Sequence, residues 1–415
     1  MLIRKNMKTM VACGAAVLGL VAAAAPAQAQ LKINLIDNGG VAGSPAEMGF
    51  KIAAGYWESV ISSNVTINLG IGYSALDAGV IGSTQSSRYS VPVLGALQQL
   101  VATGNSALDS AVVLPQLYQS GANVGVQMIR NAPTTGTRGI DPTKVVYDTS
   151  LTTNNTRVVS TEANLKALGY TGFSAGNDAN ITFSSAFSFD FNPLNGISNN
   201  QMDFIGVAIH EIGHALGFIS GVDTYDVYSG KGPAAASGPS YVWDNQAVGT
   251  MLDLFRYSND PKNVVAGSDP VLDWSVGTAS YFSIDGGKTQ FNGRSQFSTG
   301  AYNGDGRQAS HFKDTASAAG GCNGYNQIGV MDPTFCYGEM GVISATDLAA
   351  FDTIGWNLNL DVLANKGYTI NTADVYRAAT AVPEPLSWAT MLFGFAIAGG
   401  AIRRRRQLAG LAIAA

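Results

Sequence analysis

Two of the three histidines in this 415-residue chain flank a glutamate within one short segment. His210 and His214 enclose Glu211 in the sequence H-E-I-G-H. Because residues four apart lie on the same face of an α-helix, the two imidazoles can point at one ion. Two neutral ring nitrogens on a rigid helix suit Zn²⁺, and the adjacent Glu211 can take the proton of a zinc-bound water. The chemistry that this pattern predicts is hydrolysis of a peptide bond.

A catalytic zinc ion also needs a third protein ligand and an open coordination position. One class of zinc enzyme takes that ligand from a later glutamate, but no glutamate lies between Glu211 and Glu339. A second class uses a histidine three residues after a glycine turn. Here Gly217 is present, but Ser220 occupies the ligand position. The remaining candidates are His311, Asp223 and Asp226.

The two closely spaced histidines lie on a strongly predicted helix. Residues 201–216 are apolar almost all round, which is typical of a buried helix, and Gly217 is a natural end for it. Downstream, residues 220–310 are rich in Gly, Ser, Asp and Tyr and are interpreted as an insertion of hairpins and loops. A capping box that begins at Ser344 predicts a further helix to about Ile354, packed beneath the site.

Other segments show the periodicities of helices and strands. Apolar residues at helical spacing predict helices over residues 46–62 and 94–100, and alternation predicts a strand over residues 65–71. Residues 131–150, which are rich in Pro, Thr and Gly, are typical of a loop. Residues 180–184 are a further predicted strand, either a sheet edge that accepts an extended peptide or an ordinary core strand.

The amino-terminal segment, residues 1–29, has the pattern of a secretory signal peptide. A basic start precedes an apolar run, and Ala27-Gln28-Ala29 forms an A-x-A cleavage site. Cleavage after Ala29 would leave a chain that begins at Gln30. An uncleaved membrane anchor is the alternative.

The carboxy-terminal segment, residues 382–406, has three parts in a fixed order. Val382-Pro383-Glu384-Pro385 is followed by an apolar run over residues 386–402 and by four arginines at 403–406. The run is close to the length that spans a bilayer, and the arginines would stay on the cytoplasmic side. This order resembles the bacterial PEP-CTERM sorting signal, which implies cleavage by an exosortase-type enzyme after export across the inner membrane. A permanent tail anchor is the alternative.

Composition and cysteine content agree with export. The formal net charge is -5 with 13% charged residues, and no basic region outside the two ends would hold nucleic acid. Cys13 would leave with the signal peptide, so the remaining Cys322 and Cys336 predict one disulfide in an oxidising compartment. Closing that loop would contribute about 3 kcal/mol of stability. Two free buried thiols are the alternative.

Three motifs together resemble the metzincin metallopeptidases, particularly the leishmanolysin-like branch. They are H-E-I-G-H-A-L-G-F from His210, S-H-F around His311, and G-V-M-D-P around Met331. The resemblance implies that His210, His214 and His311 bind one zinc ion and that Glu211 is the general base. It also implies that Met331 is the methionine of a turn beneath the metal, although a core methionine that fills space would look the same.

The resemblance further implies an α+β fold with two lobes across residues 30–381. Residues 30–219 would form an upper lobe with a mixed sheet and the active-site helix. Residues 220–310 would be the insertion, and residues 311–381 an irregular lower lobe with the Met turn and a C-terminal helix. One departure is Pro333, which stands where some members have a tyrosine that stabilises the transition state; Tyr337 is a candidate for that role.

The expected function is that of an exported zinc endopeptidase acting on polypeptides at the cell surface or outside the cell. One alternative is a non-catalytic surface or matrix protein with a structural zinc site. Another is a zinc hydrolase of a non-peptide amide. The segment Asn303-Gly304-Asp305-Gly306 has the composition of a Ca²⁺ loop, and ordinary turn chemistry explains it equally well.

Overall fold

The computed structural model describes residues 30–134, 139–236, 241–259, 270–313 and 327–381. The predicted signal peptide, the predicted sorting signal at 382–406 with its helix over 386–402, and Cys322 lie outside the described residues. Within the described ranges, no helix combines the length and the apolar character needed to cross a membrane.

The described chain has an α+β fold in which helices and strands are interspersed. The strands are β1 (Lys32–Gly39), β2 (Thr66–Ser74), β3 (Gly82–Ser86), β4 (Arg88–Pro92), β5 (Tyr118–Ser120), β6 (Asn123–Gly125), β7 (Met128–Pro133), β8 (Ile140–Asp148), β9 (Arg157–Thr161), β10 (Ala179–Ser184), β11 (Phe189–Asp190), β12 (Met202–Asp203), β13 (Arg256–Ser258), β14 (Val271–Leu272), β15 (Tyr281–Phe282), β16 (Val342–Ser344) and β17 (Thr369–Asn371). The helices are α1 (Pro45–Val60), α2 (Val93–Thr103), α3 (Ala107–Ala111), α4 (Thr153–Thr156), α5 (Glu162–Ala167), α6 (Phe204–Ala215), α7 (Val222–Val227), α8 (Ala345–Thr353) and α9 (Thr372–Thr380). Short 3₁₀ helices lie at Pro193–Asn195, Trp243–Asn245, Leu252–Phe255 and Phe291–Gly293.

The largest sheet is mixed, with the strand order β1-β2-β10-β3. β1, β2 and β10 run parallel, and β3 pairs antiparallel to β10. The strand predicted over residues 180–184 is confirmed as β10, but the interpretation of it as an edge strand is wrong. The two edge strands are β1 and β3, and β3 consists of small polar residues without the apolar alternation that would identify a strand.

The two faces of this sheet differ in the way that period-two patterning predicts. Ile67 and Leu69 on β2 and Phe183 on β10 are buried in the hydrophobic core, where the Phe183 ring meets Phe50 of α1 and Phe204 of α6. The opposite face carries asparagines, and Asn38 donates a hydrogen bond to Asn180 across the sheet. The sheet therefore has one face in the core and one polar face.

Helix α1 connects the parallel strands β1 and β2 and packs on α6. Trp57 of α1 is fully buried, and its indole N–H donates to the carbonyl oxygen of Ile209 in α6 at 3.0 Å. Trp356 makes a similar bond to Leu216 O at 2.7 Å. Truncating either buried indole would cost about 3–5 kcal/mol. The helix that carries two of the histidines is thus held by two tryptophans from distant parts of the chain.

The predicted helix over residues 201–216 is confirmed as α6, with a later start. Asp203 caps its first turn by accepting from Gly206 N, and it also accepts from Gly341 N and the Thr372 hydroxyl. Gly217 ends the helix with a φ of 113°, a conformation that strongly favours glycine. The local sequence therefore sets both ends of the helix.

The prediction that residues 131–150 form a loop is wrong. Much of this segment lies in the antiparallel pair β7 and β8, which contains a bulge between Asn131 and Ala132. Buried Ile129 on β7 also packs against Val271 of the insertion. Tertiary contacts therefore outweigh the loop-like composition of this segment.

The insertion over residues 220–310 is mostly irregular, as predicted, with a small antiparallel sheet in the order β14-β13-β15. Arg256 on β13 is almost fully buried and donates to the carbonyl oxygens of Ser298 and Ala309. It lies 4.7 Å above the ring of Phe297. The insertion thus has a buried polar centre that holds the chain just before His311.

Helix α8 begins with the predicted capping box, in which Ser344 and Asp347 exchange hydrogen bonds. At its other end, Asp352 is buried and accepts from Ser106 Oγ with one carboxylate oxygen, while Oδ2 has no partner. Burial, and secondarily the charge of Asp109, raises the pKa of Asp352 to about 8.

We expect Asp352→Asn to stabilise the protein increasingly as pH rises from about 4 to 8. In the unfolded chain Asp352 loses its proton near 3.8, but in the fold it keeps the proton up to about pH 8. Wild-type stability therefore falls with rising pH across this window. The amide cannot ionise, so its advantage grows by up to about 1.4 kcal/mol per pH unit.

Urea unfolding of wild type and Asp352→Asn at pH 5 and pH 8 measures this difference. The same substitution at the exposed Asp77 is the matched control and should show no comparable growth. An advantage of Asp352→Asn that is equal at both pH values would contradict the assignment.

Candidate metal centre

All three histidines meet at one point. The Nε2 atoms of His210 and His214 are 3.0 Å apart, and Nε2 of His311 lies 3.3 Å and 3.1 Å from them, respectively. Three ligands of a tetrahedral zinc ion, at a Zn–N distance of about 2.0–2.1 Å, would have nitrogens about 3.3 Å apart. The triangle of ring nitrogens therefore has the size that a zinc ion requires.

Each imidazole is oriented by a hydrogen bond from its other nitrogen to a backbone carbonyl. Nδ1 of His210 lies 2.7 Å from Val330 O, Nδ1 of His214 lies 2.7 Å from Phe218 O, and Nδ1 of His311 lies 3.1 Å from Gln308 O. A carbonyl oxygen only accepts, so the proton of each neutral ring is on Nδ1. The three Nε2 atoms then face one another with lone pairs and no proton between them, an arrangement that a cation stabilises.

The surroundings keep these rings neutral. Burial lowers the pKa of His210 to about 4 and that of His311 to about 3. Burial and the two neighbouring histidines lower the pKa of His214 well below its usual value. Neutral imidazole is the form that binds a metal ion. The chemistry of the donor set therefore fits zinc.

The two aspartates considered as alternative third ligands have other contacts. Asp223 accepts from the backbone N–H groups of Ala309 and Ser310 and from the Ser310 hydroxyl. Asp226 accepts from the N–H groups of Tyr302 and Asn303. Both carboxylates therefore organise the insertion, and Asp223 holds the residues immediately before His311.

Ser220, which stands at the expected ligand position, lies beside the segment that carries the distant histidine. Its backbone N–H donates to Ser310 Oγ at 2.8 Å, and its hydroxyl donates to Asp253. The chain leaves the glycine turn, passes through the insertion and returns to the same place one residue before His311.

Glu211 is buried beside the edge strand of the sheet. The Thr84 hydroxyl donates to its Oε2 at 2.6 Å, and a Cβ atom at Gly82 would lie 2.7 Å from Oε1. Glycine at position 82 therefore leaves the space that the carboxylate fills. Burial raises the pKa of Glu211 to about 7, and the hydrogen bond from Thr84 opposes this rise. Gly82 and Thr84 had no signal in the sequence, because their role depends on pairing with β10.

Met331 forms the floor beneath the histidine helix. It is fully buried, and a Cβ atom at Gly213 would lie 2.6 Å from its sulfur. The N–H groups of Val330 and Met331 both donate to Asp347 at 3.0 Å. A Cβ at Gly329 would lie 1.8 Å from the same carboxylate. Asp347 thus caps α8 and fixes the turn whose Val330 carbonyl orients His210.

Three other predicted features have mixed outcomes. Cys336 is buried and disulfide-bonded, but its predicted partner Cys322 lies outside the described residues. Tyr337 is half exposed and stacks on Phe187 instead of lining the cleft. In the candidate calcium loop, Asp305 accepts from Thr299 N and pairs with Lys313, as a structural turn would.

The histidines open into a cleft with a volume of about 1150 Å³. One wall is β3 with the loop before it, and the other is the insertion around residues 301–311. Phe335, whose ring meets that of His210 edge-on at 5.5 Å, lies at the end of the Met-turn segment. Small-molecule pockets are about 300–1000 Å³, so this cleft has room for a polymer segment.

No family model, no curated protein and no solved structure matches this chain.

We expect His311→Ala to lower zinc content well below one ion per chain, because it removes one of three convergent nitrogens. Metal analysis after dialysis measures the stoichiometry. Asp226→Asn is the control, since its carboxylate contacts only the Asn303 loop and the zinc content should stay near one. One zinc ion per chain in His311→Ala, together with a lower zinc content in Asp226→Asn, would indicate that Asp226 is the third ligand instead of His311.

We also expect Gly213→Ala and Gly55→Ala to have opposite effects on the free energy of unfolding. The added methyl at 213 overlaps Met331 and should lower the free energy of unfolding by about 1–3 kcal/mol and weaken zinc binding. The methyl at 55 on α1 meets nothing within 4 Å, so better helix propensity should raise stability by about 0.5–1 kcal/mol. Thermal unfolding and zinc titration measure both; an equally stable Gly213→Ala would contradict the close approach of Met331.

Proposed function

We propose that this protein is a zinc-dependent endopeptidase of metzincin type. The observation that carries the proposal is the convergence of His210, His214 and His311 next to a buried Glu211 in a large open cleft. The histidine helix, the distant third histidine and the methionine floor occur in the order that the motifs imply.

A structural zinc site is a weaker explanation of the same residues. Structural zinc ions have four protein ligands, whereas catalytic ones have three and an open position. Among the described residues, the group of side chains that can bind a metal here has three members. A structural site also has no use for a carboxylate beside the ligands, so Glu211 favours catalysis.

The residues of this chain supply the proton transfer. A bound zinc ion would act as a Lewis acid that acidifies water and polarises a carbonyl group. Glu211 would take the proton from the attacking water and pass it to the leaving amine. The hydrogen bond from Thr84 to Oε2 holds the carboxylate in one orientation while Oε1 lies over Gly82.

The edge strand favours a peptide as the substrate. β3 pairs with β10 on one side, and no described strand pairs with its other side. β3 also lines the cleft next to Glu211. An extended peptide can add to such an edge through main-chain hydrogen bonds, which a small non-peptide amide cannot do.

The location of the protein stays a prediction from the two ends of the chain. Residues 1–29 predict export, and residues 382–406 predict processing by an exosortase-type enzyme. The substrate would then be a polypeptide at the cell surface or outside the cell.

We expect Glu211→Gln to retain one zinc ion per chain and to lose proteolysis by about 10²–10⁴-fold, because the amide cannot accept the proton. Cleavage of casein and metal analysis on the same sample measure both. Glu47→Gln, a substitution at a partly exposed residue of α1, is the matched control and should keep full activity.

Full casein cleavage by Glu211→Gln would overturn the mechanism. Zinc binding without cleavage of any polypeptide by the wild type, together with turnover of non-peptide amides, would favour the alternative hydrolase.

A further inference from the structure

One arginine of the cleft has no partner. The chain leaves β3 at Ser86, and β4 begins at Arg88, whose side chain lines the same cleft as Glu211 and His214. The residue is exposed to solvent. The surrounding cleft wall nevertheless removes part of the hydration of the guanidinium, which lowers its pKa. Its guanidinium makes no ion pair or hydrogen bond with any other residue in the described part of the chain.

The other described arginines all have interactions. Carboxylates, carbonyl oxygens or hydroxyls contact four of them, Arg130, Arg157, Arg256 and Arg377. Arg294 and Arg307 also interact with other residues. Among the described arginines, Arg88 is therefore the one whose guanidinium has no partner, and it lies in the cleft.

The nearby carboxylates do not neutralise Arg88. Desolvation is the main influence on the pKa of Arg88 and lowers it, whereas the negative charge of Asp223 raises it. However, Asp223 already accepts from Ala309 N and from the N–H and hydroxyl of Ser310. Glu211 is directed to Thr84. The positive charge of Arg88 is therefore available to a ligand.

Arg88 and the three histidines line the same cleft. A peptide that crosses the histidines would therefore also meet the Arg88 guanidinium.

We propose that Arg88 binds a carboxylate side chain of the peptide and makes the enzyme prefer substrates with an acidic residue close to the scissile bond. This inference rests on the proposed peptidase function. A guanidinium can hold a carboxylate with two parallel hydrogen bonds, and the planar geometry of that pair discriminates against an amide. The open position of Arg88 limits the gain to that of an exposed ion pair.

The test compares peptides that differ in one residue. A quenched fluorescent peptide carries glutamate, glutamine or lysine at each of the positions flanking the cleavage site in turn, and kcat/KM is measured for each peptide. Wild type should prefer glutamate by about three- to tenfold at one position. Arg88→Gln should reduce that ratio to about one, and Arg88→Glu should instead prefer lysine there. Arg377→Gln, on α9, should keep the wild-type ratio.

Binding to the Glu211→Gln protein loaded with zinc separates the two proposals. Fluorescence anisotropy should show tighter binding of the glutamate peptide, and this difference should vanish when Arg88→Gln is added. Binding that depends on Arg88, without cleavage by wild type, would overturn the peptidase function and leave the acidic site intact. Cleavage with equal rates for glutamate and glutamine at every position, or a preference that survives Arg88→Gln, would overturn the role of Arg88.

Discussion

Three hydrogen bonds from imidazole Nδ1 atoms to backbone carbonyls determine how the three histidines are oriented. A neutral imidazole has one proton, and each ring commits it to a carbonyl, of Phe218, Gln308 or Val330. The three Nε2 lone pairs must then converge at 3.0–3.3 Å, where they repel unless a cation lies between them. The rest of the fold can be understood as the framework that holds these three carbonyls in place.

Each carbonyl belongs to a different part of that framework. Phe218 follows the glycine turn at the end of α6, and Gln308 belongs to the insertion, next to the residues that Asp223 fixes. Val330 is fixed by Asp347, a capping residue of α8. One buried carboxylate thus links the start of a helix, the methionine turn and the orientation of His210. Glycines at 213 and 329 allow this close approach, because any Cβ there would overlap Met331 or Asp347.

The side of the cleft that contains Glu211 depends on the sheet instead. β3 pairs with β10 on one side and lies at an edge of the sheet. This pairing positions Thr84 so that its hydroxyl contacts Glu211. Arg88 follows at the point where the chain turns into β4. The Glu211 carboxylate, the three histidines and the Arg88 guanidinium therefore line one cleft, although elements with separate structural roles position them.

Local patterns in the sequence were sufficient for the elements whose contacts are local. Helical spacing predicted α6 with His210 and His214 on one face, and capping chemistry predicted the start of α8. Alternation predicted β2 and β10. These predictions depend on residues within a turn or two of each other, which backbone geometry alone relates.

The remaining features depend on contacts between distant residues. The sequence left His311, Asp223 and Asp226 as candidates for the third ligand. In the fold the Nε2 atom of His311 lies beside those of His210 and His214, whereas both aspartates accept hydrogen bonds within the insertion. The edge position of β3 and the hairpin within residues 131–150 follow from pairing with other strands, which local composition does not encode. The amino-acid sequence therefore determined which reactive groups lie on local elements, and long-range packing determined which of those groups lie together.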